Sequence, residues 1–184
     1  MPPVRSHQIE VYVFRRRGRR TEFLLVRRSR ERTLPGVWQP VTGGIERREV
    51  AWRAAAREVL EETGLRPLRW WALEHLTVYY EPARDAVHAV PLFAAEVAAA
   101  DTVQLSHEHD AYAFLPGATA ARRVHWASQR IAFDAVRAEV LARPGSNSAP
   151  HAREITARIA GLALGTRPSR TTPAARATRR GARG

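Results

Sequence analysis

The chain is 184 residues long and 45% hydrophobic, enough for one domain with its own core and roughly 30 to 40 residues more. It has no cysteine, which excludes disulfides, thiolate zinc sites and cysteine nucleophiles. No apolar run approaches the ~20 residues of a membrane helix. MPPVRSHQIEVYVF at the N-terminus has no long apolar segment of the secretory kind, so the expected location is cytoplasmic.

The formal net charge of +12 is uneven: residues 144–184 hold eight arginines and one acid, against 22 arginines and 17 acids in residues 1–143. A mildly basic body suits an anionic substrate without identifying one.

In chain order, HQIEVYVFRR (7–16) alternates apolar and polar residues as a strand does. Gly18 turns the chain, and EFLLVRR (22–28) is its partner. SRERTLPGVW is a loop with a Pro35-Gly36 turn. WQPVTGG (38–44) is short and extended, and Pro40 confines it to an edge or irregular strand. From Glu49 the spacing of Trp52, Ala55, Ala56, Val59 and Leu60 predicts a helix, which Gly64 is placed to end. Residues 68–81 and 86–98 predict two strands joined near Pro82, and AYAFL (111–115) a third. Residues 124–143 predict a closing helix, with Ile131, Val136, Val140 and Leu141 as its apolar positions. This order favours a mixed α/β or α+β sheet with a helix on each face.

The division expected is a domain over residues 1–143 and a basic, flexible segment over 144–184. PGSNSAP breaks the chain, HAREITARIAGLALG (151–165) can form a short helix, and the rest is low in bulky apolar residues. Most basic segments of this kind are solvated appendages, and nucleic acid is the minority expectation for a partner here.

Chemistry concentrates in GGIERREVAWRAAAREVLEETGL (43–65). Positions i, i+3 and i+4 share a helix face, so Glu58, Glu61 and Glu62 project together. Like charges at that spacing oppose the helix by a few tenths of a kcal/mol, and Glu62 sits near the end where the dipole disfavours anions. Arg53 and Arg57 are near enough to offset this. A hard divalent cation does so better, because Mg²⁺ takes carboxylate oxygens and keeps positions for water and phosphate. Alone, an acidic helix of this kind is most often a solvated face of ion pairs.

Gly43, Glu49, Arg57, Glu58, Val59, Glu61, Glu62, Gly64 and Leu65 match the 23-residue pattern G-x5-E-x7-R-E-U-x-E-E-x-G-U at every fixed position, U being a bulky aliphatic. The chain thereby resembles the Nudix hydrolases. The resemblance implies an α/β/α sandwich around a mixed sheet, with the box as a loop–helix–loop. It implies hydrolysis of a phosphoanhydride bond with Mg²⁺, or Mn²⁺. It implies Glu58, Glu61 and Glu62 as catalytic metal ligands, with the Gly43 carbonyl close to the metal. Glu49 and Arg57 brace the box through an ion pair. Arg57, one residue before Glu58, is expected to point to a different face.

WQPVTGG, SHEHDAYAFL (106–115) and WASQRIAF (126–133) are similar to segments of the bacterial dihydroneopterin triphosphate diphosphatase, or dATP pyrophosphohydrolase, subfamily, although Pro40 and the long C-terminal segment depart from it. This likeness implies release of pyrophosphate from a pterin or nucleoside triphosphate, and Glu108 as a further catalytic metal ligand. The competing reading of Glu108 is an exposed loop acid beside Asp110. His109 is expected to support its loop. Arg27 and Arg28 are candidates to hold phosphates, and Trp38 and Tyr80 to stack on a flat ring; Trp70-Trp71 more often marks a core. Diadenosine tetraphosphate, ADP-ribose-like sugars and capped RNA are rival substrates. A Nudix-fold binding or regulatory module is the rival of another class, and the intact glutamates argue against it. Oligomeric state is not encoded in any feature found.

Overall fold

The computed structural model describes residues 1–142 and 153–161. Its strands are β1 (Val4–Arg5), β2 (Gln8–Arg17), β3 (Arg20–Arg28), β4 (Trp38–Gln39), β5 (Val41–Gly44), β6 (Arg69–Glu81), β7 (Ala86–Val97), β8 (His109–Pro116) and β9 (Arg153–Glu154). Its helices are α1 (Ala51–Thr63), α2 (Gly117–Arg123), α3 (Ala127–Glu139) and α4 (Thr156–Ala160). The described strands form one mixed sheet of order β4-β3-β2-β7-β6-β9, with β8 beside β3, β5 beside β2 and β1 beside β7. β7 runs parallel to β2 and β1, and the other pairs are antiparallel.

Both faces of the central strands are covered, which is why they are so apolar. Ile9, Val11 and Val13 of β2, Leu24 and Val26 of β3, and Phe93, Ala95 and Val97 of β7 meet Ala54, Ala55, Ala56 and Val59 of α1. The alternate residues Tyr12 and Phe14, Phe23 and Leu25, and Leu92 and Ala94 meet Ala132, Phe133 and Val136 of α3. Phe133 sets its ring edge-on to Tyr12 and Phe23, at 5.0 and 5.2 Å between centroids. The strand period of two thus divides one sheet between two cores, and the α/β sandwich expected from the sequence is present. Trp70 belongs to the α1 core and Trp71 to the α3 core.

Pro40 separates what was expected as one extended piece into two strands. β4 pairs with β3 at Val26 and Arg27, whereas β5 pairs with β2 at Gln8–Val11. β3 takes the other end of β2, at Phe14–Arg17. The sheet therefore forks beside β5, and proline, lacking an N–H, suits the point of division.

Three features depart from expectation. α2 was not foreseen, because GATAARR has no bulky residue to mark a buried face; Ala120 alone is buried there. Ile131 lies 56% exposed while Ala132 and Phe133 turn inward, so the apolar stripe of α3 is set by smaller and aromatic residues. Residues 153–161 return to the sheet. β9 pairs with β6 at Trp71 and Ala72, the Trp70 amide donates to Thr156 Oγ1 at 3.0 Å, and Ile159 is buried in the α1 core. The remaining positions of the expected C-terminal segment, 143–152 and 162–184, lie outside the described residues, and with them the suggested nucleic-acid contact.

β6 bulges between Ala72 and Leu76. The amides of Glu74 and His75 there donate to the Glu139 carboxylate of α3, at 2.7 and 3.3 Å. A buried acid thus satisfies donors that the interrupted ladder leaves over.

Candidate active site

The box folds as a loop leading into α1. Gly43 closes β5 against β2 opposite Ile9, and the Glu58 side chain lies across its α-carbon. A Cβ at Gly43 would collide with the Glu58 carboxyl group, so glycine is required by close approach. At the other end Gly64 caps α1 in the left-handed region, φ +68°, with its N–H on the Leu60 carbonyl. A side chain is strained there.

Arg57 organises the loop. Its Nε and Nη2 donate to both oxygens of Glu49, at 3.0 and 2.9 Å, and Nη2 also reaches the Gly44 carbonyl at 2.8 Å. The Glu49 carboxylate in turn accepts from the Glu46 amide. Nη1 donates to Glu58 at 2.7 Å and Glu61 at 3.1 Å. This corrects the expectation that Arg57 points away from the acidic face: the long side chain curls back along α1, and one planar fork ties the loop to two glutamates. Arg53 instead lies over the Trp52 ring.

The last turn of α1 fixes the fourth acid. Its terminal carbonyls need partners, and the Gln104 and Ser106 amides donate to Thr63 and Glu62 at 2.8 and 3.1 Å. The segment held this way leads into Glu108, whose carbonyl accepts from the Ser29 amide at 2.9 Å. Arg32 donates to the Glu108 carboxylate at 2.6 Å. Glu58, Glu62, Glu108, Arg28 and Arg32 thereby line one cavity with Gly43.

The electrostatics are lopsided. Glu62 is 5% exposed, and its Oε2 has no hydrogen-bond partner. Burial first, then the charges of Glu58 and Glu108, push its carboxyl well above the usual range. Burial also raises Glu58, against the opposing pull of Arg57. His109 is buried and pushed down to about 4 chiefly by desolvation. It is neutral near pH 7, and its Nδ1, 3.9 Å from Glu62 Oε2, makes no ion pair. A buried, unpaired polar atom costs about 1–3 kcal/mol, more if charged; Glu62 is held in an unfavourable state by the fold around it.

Among the described residues no three His, Asp or Glu side chains are set to hold a metal as they stand, and Arg57 engages Glu58 and Glu61. The donor chemistry nonetheless fits a hard divalent ion: carboxylate oxygens crowded together, one of them orphaned and buried, beside a glycine that leaves room for Glu58.

The cavity, about 660 Å³, continues past the fork onto the α3 face of the sheet. Glu10, Thr77 and Gln129 line it there, with Tyr79 and Trp126. Glu10 accepts from the Tyr12 hydroxyl at 2.8 Å and, at a long 3.4 Å, from Gln129 Nε2. Burial raises its pKa against both hydrogen bonds. Trp126 and Gln129 fall in the WASQRIAF segment noted above, whereas Glu10 carries no mark in the sequence, because an acid in an alternating strand has the pattern of an outward position.

The other expected contacts divide. Arg28 lines the cavity and donates to the Thr33 carbonyl and Gln39 Oε1. Arg27 pairs with Asp110 at 2.6 Å. Trp38 packs at the edge of the α3 core under the Arg123 guanidinium, 4.2 Å from the ring centroid. Tyr80 is 52% exposed, with its hydroxyl on Asp85. None of these last three is among the residues lining the cavity.

Comparison with known proteins agrees with the box. The chain is 38% identical over 124 residues to an octanoyltransferase of Myxococcus xanthus, covering 67% of this chain but 34% of that protein. It thus spans about a third of that relative, whose activity is not carried over. It is 34% identical over 99 residues to the asymmetrical bis(5′-nucleosyl)-tetraphosphatase of Caenorhabditis elegans, covering 53% of this chain and 69% of that one. Among solved structures, a C. elegans Ap4A hydrolase superposes with a TM-score of 0.61 at 25% identity, over 71% of this chain and 94% of that chain. The E. coli dihydroneopterin triphosphate pyrophosphohydrolase does so at 0.57 and 24%, over 72% and 92%, a likeness of fold. A NUDIX domain model matches residues 6–136, and with the box complete the chain belongs to the Nudix family.

Proposed function

We propose that the protein is a Mg²⁺-dependent pyrophosphohydrolase of nucleoside-triphosphate-like substrates, dihydroneopterin triphosphate or a (deoxy)nucleoside triphosphate. The observation that carries this is the orphaned, buried Glu62 carboxyl group, lining a cavity of nucleotide size with Glu58 and Glu108. Glu58, Glu61, Glu62, Glu108 and the Gly43 carbonyl would hold the metal, with Mn²⁺ a possible substitute. When bound, the ion neutralises phosphate oxygens and acidifies a water. Arg28 and Arg32, which line the same cavity, supply positive charge to the phosphates. Arg57 keeps the Glu49 loop against α1 and is a positioning residue. One of Glu58, Glu61 and Glu62 would orient the attacking water.

Similarity to the C. elegans tetraphosphatase supports a second substrate reading, asymmetric cleavage of a dinucleoside tetraphosphate. One panel separates the two: release of phosphate, pyrophosphate and nucleoside monophosphate from pterin and nucleoside triphosphates, diadenosine tetraphosphate and ADP-ribose, with Mg²⁺. The leading reading predicts pyrophosphate from triphosphates as the fastest reaction. Faster cleavage of the tetraphosphate would replace it, and no release from any compound would refute both.

A further inference from the structure

The polar groups on the α3 face of the cavity have no role in metal or phosphate chemistry. Gln129 is 2% exposed and its Oε1 has no hydrogen-bond partner; Thr77 is 4% exposed and its Oγ1 has none. Between them in the sheet, Glu10 pairs with Leu92 of β7, two residues from Val90, which pairs with Thr77 of β6. Glu10, Thr77 and Gln129 therefore line one stretch of the cavity from β2, β6 and α3. Apolar neighbours of the right volume fill the same rows elsewhere, so space alone does not require polar side chains here.

A carboxylate offers about four acceptor sites; the Tyr12 hydroxyl and Gln129 amide take two. What remains is carboxylate acceptor capacity, the free Gln129 Oε1 and a Thr77 hydroxyl able to donate or accept. A ligand edge with two adjacent donors, a ring N–H next to an exocyclic amino group, complements two neighbouring acceptors. Adenine presents one donor and one acceptor, and leaves an acceptor facing an acceptor. Tyr79 and Trp126, both partly exposed along the same cavity, offer aromatic surface to a flat ring.

Resting on the triphosphate-hydrolase reading, we propose that Glu10, Gln129 and Thr77 form a recognition site for the 2-amino-4-oxopyrimidine edge shared by guanine and pterin. The site selects substrate and takes no part in bond cleavage.

The test measures kcat/KM with Mg²⁺ for GTP, dGTP, dihydroneopterin triphosphate and ATP, and binding of GMP and AMP to the metal-free protein. The variants are Glu10→Gln and Thr77→Val. The wild type should favour the 2-amino-4-oxo compounds over their adenine counterparts by about 10- to 100-fold, the discrimination of a good bidentate pair. Glu10→Gln turns one acceptor into a donor and should erase that preference or turn it toward adenine, while the melting temperature stays near that of the wild type. Preference for dihydroneopterin triphosphate over GTP, or the reverse, identifies which of the two ring systems the site takes. Equal use of ATP by the wild type, or unchanged selectivity in a folded Glu10→Gln variant, overturns the recognition site and leaves the hydrolase reading standing. Selective binding of GMP over AMP with no hydrolysis of any triphosphate does the opposite. Loss of both overturns both.

Discussion

The two ends of the cavity are both polar and both imperfectly satisfied, but in different currencies. At the α1 end the unsatisfied group is an acid that burial and its neighbours discourage from ionising: Glu62 beside Glu58 and Glu108, with Arg28 and Arg32 opposing that effect. At the α3 end the unpaired atoms are neutral, a side-chain amide and a hydroxyl flanking one acid. A charge is relieved by a counter-ion and a neutral dipole by a matching hydrogen bond, so the first end suits metal and phosphate and the second a heterocycle. The contrast teaches that unsatisfied groups in a folded protein indicate the kind of ligand as well as its place.

The largest way to break the contrast is at Glu61 and Glu62. Metal-assisted stabilisation of transition-state charge is worth several kcal/mol, and each 1.36 kcal/mol is tenfold in rate. Glu61→Gln and Glu62→Gln should each lower kcat by about a hundredfold or more with the fold intact by circular dichroism. Near-wild-type turnover in both would remove the metal site from the box. Gly43→Ala, which drives a methyl group into Glu58, should approach the same loss.

Next comes the brace. Arg57→Lys keeps one charge but loses the planar fork that spans Glu49, Glu58, Glu61 and Gly44. Activity should fall about 10- to 100-fold, as for partners that orient metal ligands, with a weaker apparent affinity for Mg²⁺. A change confined to thermal stability would make Arg57 purely structural.

A stability measurement sharpens the electrostatic half. The folded-state pKa of Glu62 is raised, so its contribution is fully present below the unfolded value, near 4.5, and is lost as pH rises through the folded value. Metal-free Glu62→Gln should therefore be more stable than wild type near pH 8, by about 2–8 °C for a loss of about 1–2 kcal/mol of strain. The difference should shrink toward pH 4. A variant equally destabilised at both pH values would contradict the assignment of strain to this charge.

Away from the cavity the effects are smaller in function. Truncation after Gly161 should leave melting temperature and hydrolysis near wild type. Truncation after Arg143 also removes Ile159 from the core and should cost about 1.5–3 kcal/mol of stability. Equal stability of the two would place residues 153–161 outside the folding unit.

How much of this was legible in the sequence follows from the range of each signal. Alternation in residues 8–17 and 20–28 and the spacing in α1 are local, and they foretold strands, helix and two covered faces. The box is a nine-position pattern in one segment, so family and brace followed from it. The Arg57 fork did not, because helical spacing places α-carbons and says nothing about where a long guanidinium curls. The Glu10–Gln129 contact joins residues 119 apart in sequence, and Glu10 carries no local mark of burial. Tyr79 lining the cavity in place of Tyr80 depends on which face of β6 is exposed beyond a bulge, which a single-residue shift reverses.

The central claim is that the strained carboxylates await a divalent cation, and calorimetric titration of the metal-free protein with Mg²⁺ at pH 7 tests it most directly. Ligands must shed protons to bind a metal, and burial holds the Glu62 carboxyl well above the usual range. Saturable binding should release protons, seen as a heat that changes with the ionisation enthalpy of the buffer, and Glu62→Gln should abolish most of it. Absence of saturable binding, or equal binding and proton release in Glu62→Gln, would contradict the account.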